Sequence, residues 1–352
     1  MSKRNTLLPG WLSKTLGWIG AGIGFLFRLG LLGWGTLAIY WSNLPWPAAR
    51  MALAAVFLVF GVWALWFGHK PGMPRAFAVV FLAVLTWWWM IPPSDDRQWR
   101  EEVALKPRIE IDGERVVIRS VRNFDFRSRD DFTAIYEDRE VSLAHLTGVD
   151  FFLSFWMEGP VGHTWVSFIF DNAPPVSISI EARPVVGRSF DPLQSMFKQF
   201  ELIYVIGDEH DLVGLRTNHR DEQTFLYHVQ ASPEAARRLF LVYLERVNEL
   251  ADQPEWYNLL TNNCTLNIVR YMNRAGRQGG FHPNHLLNGL FDVYLYSAGF
   301  LDTSLPFEEL RRRSRITEAA QAAANDENFS GLIREGLPGL QAGTAPGAGK
   351  QL

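Results

Sequence analysis

The stretch EWYNLLTNNCTLNIVRYMNR, residues 255–274, carries the only cysteine of the chain, Cys264, directly after two asparagines and before a run with helical periodicity. Asn262 or Asn263 is a suitable N-cap, because a short amide side chain accepts a hydrogen bond from a first-turn N–H that has no partner within the helix. A helix over about residues 264–274 follows, with Gly276 as its stop. Cys264 then falls in the first turn, where backbone N–H groups and the helix dipole stabilise negative charge and favour the nucleophilic thiolate. A structural cysteine has no need of that position, so the stretch points to a reactive thiol.

Working outward, helices flank this segment and strands precede it. SPEAARRLFLVYLERVNELADQ (232–253) starts with Ser232 as N-cap and Pro233 at the first helical position, and its apolar face runs through Ala236, Leu239, Phe240, Tyr243, Leu244 and Val247. NHLLNGLFDVYLYSAGF and SLPFEELRRRSRITEAAQAAA read as further helices. Upstream, RIEIDGERVVIRSV alternates apolar and polar residues around an Asp112-Gly113 turn, a hairpin pattern. VSLAHL, DFFLSFWM, HTWVSFIF, VSISIEARPV, ELIYVIG, HDLVGLRTN and TFLYHVQ continue as strands, with DNAPP as a turn between HTWVSFIF and VSISIEARPV. The class is α+β with a largely antiparallel sheet.

The first 94 residues contain no Asp or Glu. Three apolar stretches lie there, Leu16 to Trp41, Met51 to Gly68 and Ala76 to Pro92, each near the ~20 residues that cross a bilayer as a helix. Tryptophans near the proposed ends suit the membrane interface, and Arg28 belongs at a span boundary or against a neighbouring helix. Lys3, Arg4, Lys14, Lys70 and Arg75 against Arg50 alone in the first loop put the N-terminus in the cytoplasm. Three crossings then place the remainder outside, in the periplasm of a bacterial inner-membrane protein. The expected organisation is a membrane anchor over 1–93, a linker over 94–109, a periplasmic domain over 110–334 and a disordered Gly/Ala/Pro-rich tail over 335–352. An unpaired cysteine in an oxidising compartment is either inert or used.

A nucleophilic cysteine needs a general base, and His163 in GPVGHTWVSFIF has the most suggestive setting of the eight histidines. His145 and His228 are strand-borne alternatives; the others lie in loop-like sequence. A third group should orient the imidazole. The strand after DNAPP presents Ser177, Ser179, Glu181 and Arg183 on one face, and antiparallel pairing brings Ser179, Glu181 or Arg183 opposite His163, depending on register. Glu181 and Ser179 are the acceptors among them. Arg216 and Arg220, in a charge-dense segment, are suited to lipid phosphate. The acidic residues nearby lack the spacing of a calcium loop, so no metal is expected.

RNFDFRSRDDF (122–132), GVDFFLSFW (148–156), GHTWVSFIF (162–170), SISIEARP (177–184), ELIYVIGDEHDLVGLRTNHR (201–220) and YNLLTNNCT (257–265) together resemble the bacterial Lnb-type N-terminal periplasmic domain family, over roughly residues 110–310. That family resembles circularly permuted NlpC-type papain-like proteins, lecithin retinol acyltransferase among them, in which the histidine precedes the cysteine. The resemblance implies a permuted papain-like fold, Cys264 as nucleophile and His163 as its base. It also implies lipoprotein N-acylation, with an acyl chain moving from a phospholipid to an amine through a thioester. In this chain the spans precede the domain.

The expected activity is therefore a membrane-tethered thiol acyltransferase with Cys264, His163, Glu181 and Ser179 in the reaction and Asn263, Arg216 and Arg220 on the substrate. The backbone N–H of Cys264 would help to hold the oxyanion. Expected partners are a phospholipid donor, a lipoprotein or other envelope acceptor and the membrane, with no nucleic acid and no cofactor. A cell-wall amidase or peptidase of NlpC type, and a non-catalytic envelope binding module, are the competing readings. An apolar groove leading to Cys264 favours lipid, and an open polar cleft favours peptidoglycan.

Overall fold

The computed structural model describes residues 10–340 except 158, 278 and 281, with side chains from residue 14 onward. Lys3 and Arg4 of the charge-asymmetry reading, and residues 341–352 of the expected tail, lie outside the described residues. The chain forms two compact units, one of residues 1–93 with 197–199 and one of 94–196 with 200–352.

The first unit holds three helices long and apolar enough to cross a membrane: α1 (Gly10–Tyr40), α2 (Pro47–Val62), which continues as a π-helical turn over Trp63–Phe67, and α3 (Met73–Met90). Small residues allow their close approach. A Cβ on Gly35 would stand 2.7 Å from the Phe57 ring, and one on Gly61 2.4 Å from Leu32. Leu32, Ile39, Ala54, Phe57, Ala64 and Phe77 are buried there. Arg28 faces a neighbour, its guanidinium donating to the Leu65 carbonyl at 3.5 Å.

The second unit is built on an eight-stranded sheet. Its strands are β1 (Arg108–Asp112), β2 (Arg115–Arg122), β5 (Tyr136–Ser142), β6 (Leu146–Phe155), β7 (His163–Phe170), β8 (Val176–Arg183), β9 (Glu201–Gly207) and β10 (Gln223–His228), while β3 (Asp125–Phe126) and β4 (Phe132–Thr133) form a separate pair. The order is β1-β2-β9-β8-β7-β6-β10, with β5 also on β2, and all pairings are antiparallel except the single β2–β9 bridge at Arg122 and Gly207. The first hairpin turns one residue later than expected, at Gly113 and Glu114, because Asp112 still pairs with Arg115 and Gly113 supplies the positive φ of 59° that the turn requires.

Both faces of the sheet are covered, which is why the central strands read as almost continuous apolar runs. On one face α6 (Pro233–Asp252), α7 (Cys264–Arg274) and α8 (Phe291–Ser297) bury Leu239, Phe240, Tyr243, Ile268, Met272 and Phe291 against Val166, Phe168, Ile178 and Tyr204. On the other, Phe152, Trp165 and Leu226 meet Val213, Ile316, Ala320 and Phe329. That layer is made by α5 (Glu209–Gly214), α10 (Thr317–Ala322) and α11 (Phe329–Leu332), whereas α9 (Phe307–Arg313) buries Leu310 in the core of the first face, and a short α4 (Pro192–Ser195) lies between β8 and β9.

Four further expectations change. HDLVGLRTN is helical, not a strand: Asp208 caps α5 through the His210 N–H at 2.9 Å, and a π-helical turn over Leu215–His219 follows. VSLAHL leaves the strand at Ser142 and turns as a 3₁₀ segment over Leu143–His145. The tail expected to be disordered from 335 packs as far as residue 340, with Leu337 buried beside Phe329 and Ile333. The segment expected as a linker, 94–109, lies in the second unit, where Arg183 donates to the Val103 carbonyl at 2.9 Å and Lys106 to the Ala251 carbonyl at 2.8 Å.

Helix α7 is joined to β7 by a buried hydrogen bond between the hydroxyls of Thr265 and Thr164, 2.9 Å apart. Thr265→Val leaves the Thr164 hydroxyl buried without that partner and is expected to cost about 1–3 kcal/mol, whereas Thr164→Val with Thr265→Val recovers much of the loss. Equilibrium denaturation of the four proteins of this cycle checks it; additive losses would mean that the bond contributes nothing.

Candidate functional site

Cys264 and His163 line one cavity of about 500 Å³. The way they arrive there follows from the alternation of β7. His163 is its first residue and Thr164 its second, so their side chains leave the sheet on opposite faces. Thr164 holds Thr265 on α7, which fixes the helix N-terminus, and the residue before Thr265 is Cys264. His163 is thereby left on the opposite face, at the same end of the strand.

Asn263 is the N-cap of α7. Its Oδ1 accepts from the Leu266 N–H at 2.9 Å and its Nδ2 donates to the Leu259 carbonyl at 2.5 Å. Fully buried in this double role, Asn263 does not line the cavity, so it positions the helix and is not a substrate contact. Cys264 is 1% exposed. The Asn288 amide, which lines the same cavity, donates to its Sγ at 3.4 Å.

The His163 ring is held through Nε2, 2.7 Å from the Ser179 hydroxyl. That hydroxyl in turn donates to Glu181 Oε1 at 2.9 Å, and Glu181 Oε1 stands 3.8 Å from His163 Nε2. Arg216 completes the row, donating from Nη2 to the same carboxylate oxygen at 2.8 Å and from Nη1 to the Leu212 carbonyl at 2.8 Å, with its guanidinium 4.5 Å from the Trp165 ring. The register accounts for it: Trp165 pairs with Ser179 and Ser167 with Ser177, so His163, Ser179 and Glu181 share one face. Arg183, the remaining candidate on that face, lies farther along the strand and is engaged with the Val103 and Ala104 carbonyls and Asp95. With Nε2 engaged by Ser179, Nδ1 is the ring nitrogen left to take a proton.

Two expected substrate contacts therefore separate. Arg216 is buried and committed to Glu181, an orienting group more than a ligand-binding one. Arg220 lines the cavity at 31% exposure, and its nearest carboxylate, Glu222, is 3.9 Å away. Glu222 itself accepts the Ser154 hydroxyl.

Electrostatics keep the imidazole neutral. Burial first, then the charges of Arg216 and Arg220, lower the His163 pKa from 6.5 to about 3, against an opposing pull from Glu181. Burial raises the Glu181 carboxyl, but Arg216 foremost, then His163, Arg122 and Arg220, outweigh it and hold the group below the usual carboxylate range. Glu181 is thus a fixed anion and His163 a neutral base across the physiological range.

The remaining walls of the cavity are largely apolar. Trp156, Val161, Phe190, Pro192, Tyr257 and Leu259 come from the loops before β7, after β8 and before α7. Sequence reasoning missed Asn288, Glu222 and Arg129, which also line the cavity. Asn288 lies in NHLLNGLFDVYLYSAGF, which reads as a helix with no sign of a link to the cysteine, and its meeting with Cys264 is a product of tertiary packing.

A mixed α+β domain with a largely antiparallel sheet, following three membrane-length apolar helices, defines the general class. Residues 132–291 match the family model of the Lnb N-terminal periplasmic domain, and this part of the chain is a domain of that family. No curated protein and no solved structure matches the chain. The protein is accordingly membrane-anchored with a periplasmic domain.

The depressed His163 value has a stability consequence. Between pH 6.5 and about 3 the unfolded chain binds a proton at this ring that the folded chain refuses, so stability falls as pH drops through that window. Glu181 adds the same sign below its ordinary 4.5. Melting of the detergent-solubilised protein from pH 7 to 4.5 is expected to show this decline, and His163→Gln to make it shallower; an equal slope in the two would refute the assignment.

Proposed function

We propose that the protein is a membrane-tethered thiol acyltransferase on a permuted papain-like, NlpC-type scaffold. The observation that carries this reading is the shared cavity: a helix-borne thiol and a neutral, oriented imidazole open into one space, walled by apolar side chains from three loops and by the charged Arg129, Arg220 and Glu222. The histidine strand precedes the cysteine helix in the chain, in keeping with the permuted order. The N-terminus lies in the cytoplasm and three crossings deliver the domain to the periplasmic face of a bacterial inner membrane.

In the first half-reaction the thiol proton moves to His163 Nδ1 as Sγ attacks the carbonyl carbon of a phospholipid ester. The tetrahedral oxyanion is met by the Cys264 backbone N–H at the helix N-terminus and by the Asn288 amide. Collapse breaks the carbon–oxygen bond, the proton on His163 passes to the departing alcohol oxygen, and a lysophospholipid leaves a thioester on Cys264. In the second half-reaction an amine, that of a lipoprotein N-terminus or another envelope acceptor, gives its proton to His163 and attacks the thioester. The thiol is then released with that proton, forming an amide. Ser179 and Glu181 hold the ring and the charge it acquires, and Arg216 holds Glu181. The apolar walls suit an acyl chain, and the anchor confines the domain to the surface where its substrates reside.

Intact-protein and peptide mass spectrometry of the full chain, incubated with bacterial phospholipid, tests this. Wild type is expected to gain an acyl mass on the Cys264 peptide that hydroxylamine removes; Cys264→Ala gains none, and His163→Ala acylates about 10²–10⁴-fold more slowly. A Cys264 that alkylates readily yet takes no acyl group would reject the lipid donor and turn the search to peptidoglycan fragments.

A further inference from the structure

The loops that wall the cavity also turn apolar side chains away from it. Met157 follows the wall residue Trp156, Leu193 follows Pro192 and Leu260 follows Leu259. The three lie outside the cavity lining and are exposed, Met157 at 64%, Leu260 at 56% and Leu193 at 45%. Val186, on the same loop as Leu193, is 63% exposed. These loops share one end of the sheet, where β6 finishes, β7 begins, β8 finishes and β9 begins. The opposite end differs: the turn over 171–175, which joins β7 to β8, presents Asp171 and Asn172 to water.

Large apolar side chains concentrated around one opening mark a surface that something covers. The course of the chain says what. Ser94, the first residue of the second unit, follows the end of α3 at Met90 by four residues, and its N–H donates to Glu201, the first residue of β9, at 3.2 Å. At about 3.3–3.6 Å per residue, those four residues reach at most ~14 Å. The loop between β8 and β9 makes a second connection, because residues 197–199 belong to the first unit. There Lys198 donates to the Trp88, Trp89 and Ile91 carbonyls at the C-terminal end of α3, at 2.9, 3.0 and 2.9 Å. Leu193 is thus five residues from the side chain that closes a membrane-length helix. Both connections tether this end of the sheet, and not the other, to the end of the third span.

We propose that the outward-turned rim of Met157, Val186, Leu193 and Leu260 is a bilayer-docking surface, bedded in the boundary between lipid headgroups and acyl chains. Its partner is the lipid surface itself. Apolar side chains on separate short loops enter that boundary, to a depth of about 5–10 Å, without having to fit one another as a protein interface requires. The inference goes beyond the acyl-transfer reading and does not need it, since it concerns what the rim touches and not what Cys264 does.

The test uses the full chain carrying Cys264→Ala, in phosphatidylcholine nanodiscs. Met157→Cys, Leu193→Cys and, at the far end of β7, Asn172→Cys are introduced one at a time and labelled with an environment-sensitive fluorophore. Labels at 157 and 193 are expected to dim about twofold when the acyl chains are brominated and to be spared by aqueous iodide, with the reverse at 172, as insertion to that depth requires. Adding Val186→Asp and Leu260→Asp withdraws the rim, so that iodide reaches the labels at 157 and 193, while melting in detergent stays that of the parent and shows that the variant is folded. Iodide reaching both rim labels in the parent overturns the proposal. Rim labels shielded from iodide yet untouched by bromine would be covered by protein, such as a second copy of the chain, and overturn the bilayer as the partner. Equal dimming at all three positions would mean that the domain has no preferred face on the membrane, and overturns it as well. Rim insertion in a protein whose Cys264 takes no acyl group would keep the docking surface and reject acyl transfer.

Discussion

Two consecutive residues of β7 point to opposite faces of the sheet, and the domain is arranged around that constraint. Thr164 reaches the helical layer and holds the start of α7 through Thr265; His163 reaches the other layer and joins Ser179, Glu181 and Arg216. A slip of one residue in pairing would exchange the two faces. Then the imidazole would face α7 and the threonine the polar row. Pairing along both edges of β7, with β6 and with β8, removes that freedom. So the sheet does more than supply a core: its register determines which groups meet at the end of the strand.

The polar row is an example of charges that hold one another in low dielectric. Arg216 is buried beneath Trp165 and would be costly alone, as would Glu181. Together they give a stationary anion behind the Ser179 hydroxyl. The π-helical turn over Leu215–His219 is where Arg216 leaves the helix that Asp208 starts, and such turns recur where a side chain has to be re-aimed toward a functional site.

Much of this was legible in the sequence because it depended on local rules. Asn263 before Cys264 is a cap in any context, so the position of the thiol followed from a few residues. HTWVSFIF and VSISIEAR have the composition of central strands, and DNAPP between them forces antiparallel pairing, which left a short list for the partner of His163. What failed depended on packing. The apolar residues of HDLVGLRTN suit a strand as well as a short helix, and the decision fell to the Asp208 cap and to burial of Leu212, Val213 and Leu215. Leu337 is one apolar residue in a run of Gly and Pro, and only the Phe329 and Ile333 surface gives it a place to bury. Asn288 comes from a segment 24 residues beyond the cysteine, and no periodicity links the two.

The burial of Cys264 has a chemical side as well as a geometric one. A thiol in an oxidising compartment is exposed to peroxides, and a sulfenic acid is commonly rescued by a neighbouring cysteine that resolves it to a disulfide. This chain has a single cysteine, so an oxidised Cys264 has no internal route back. With 1% of its surface open and the Asn288 amide against the sulfur, access is limited to what enters the cavity. The walls that surround the thiol thus also bear on its working lifetime, because whatever fills the space stands between the sulfur and an oxidant.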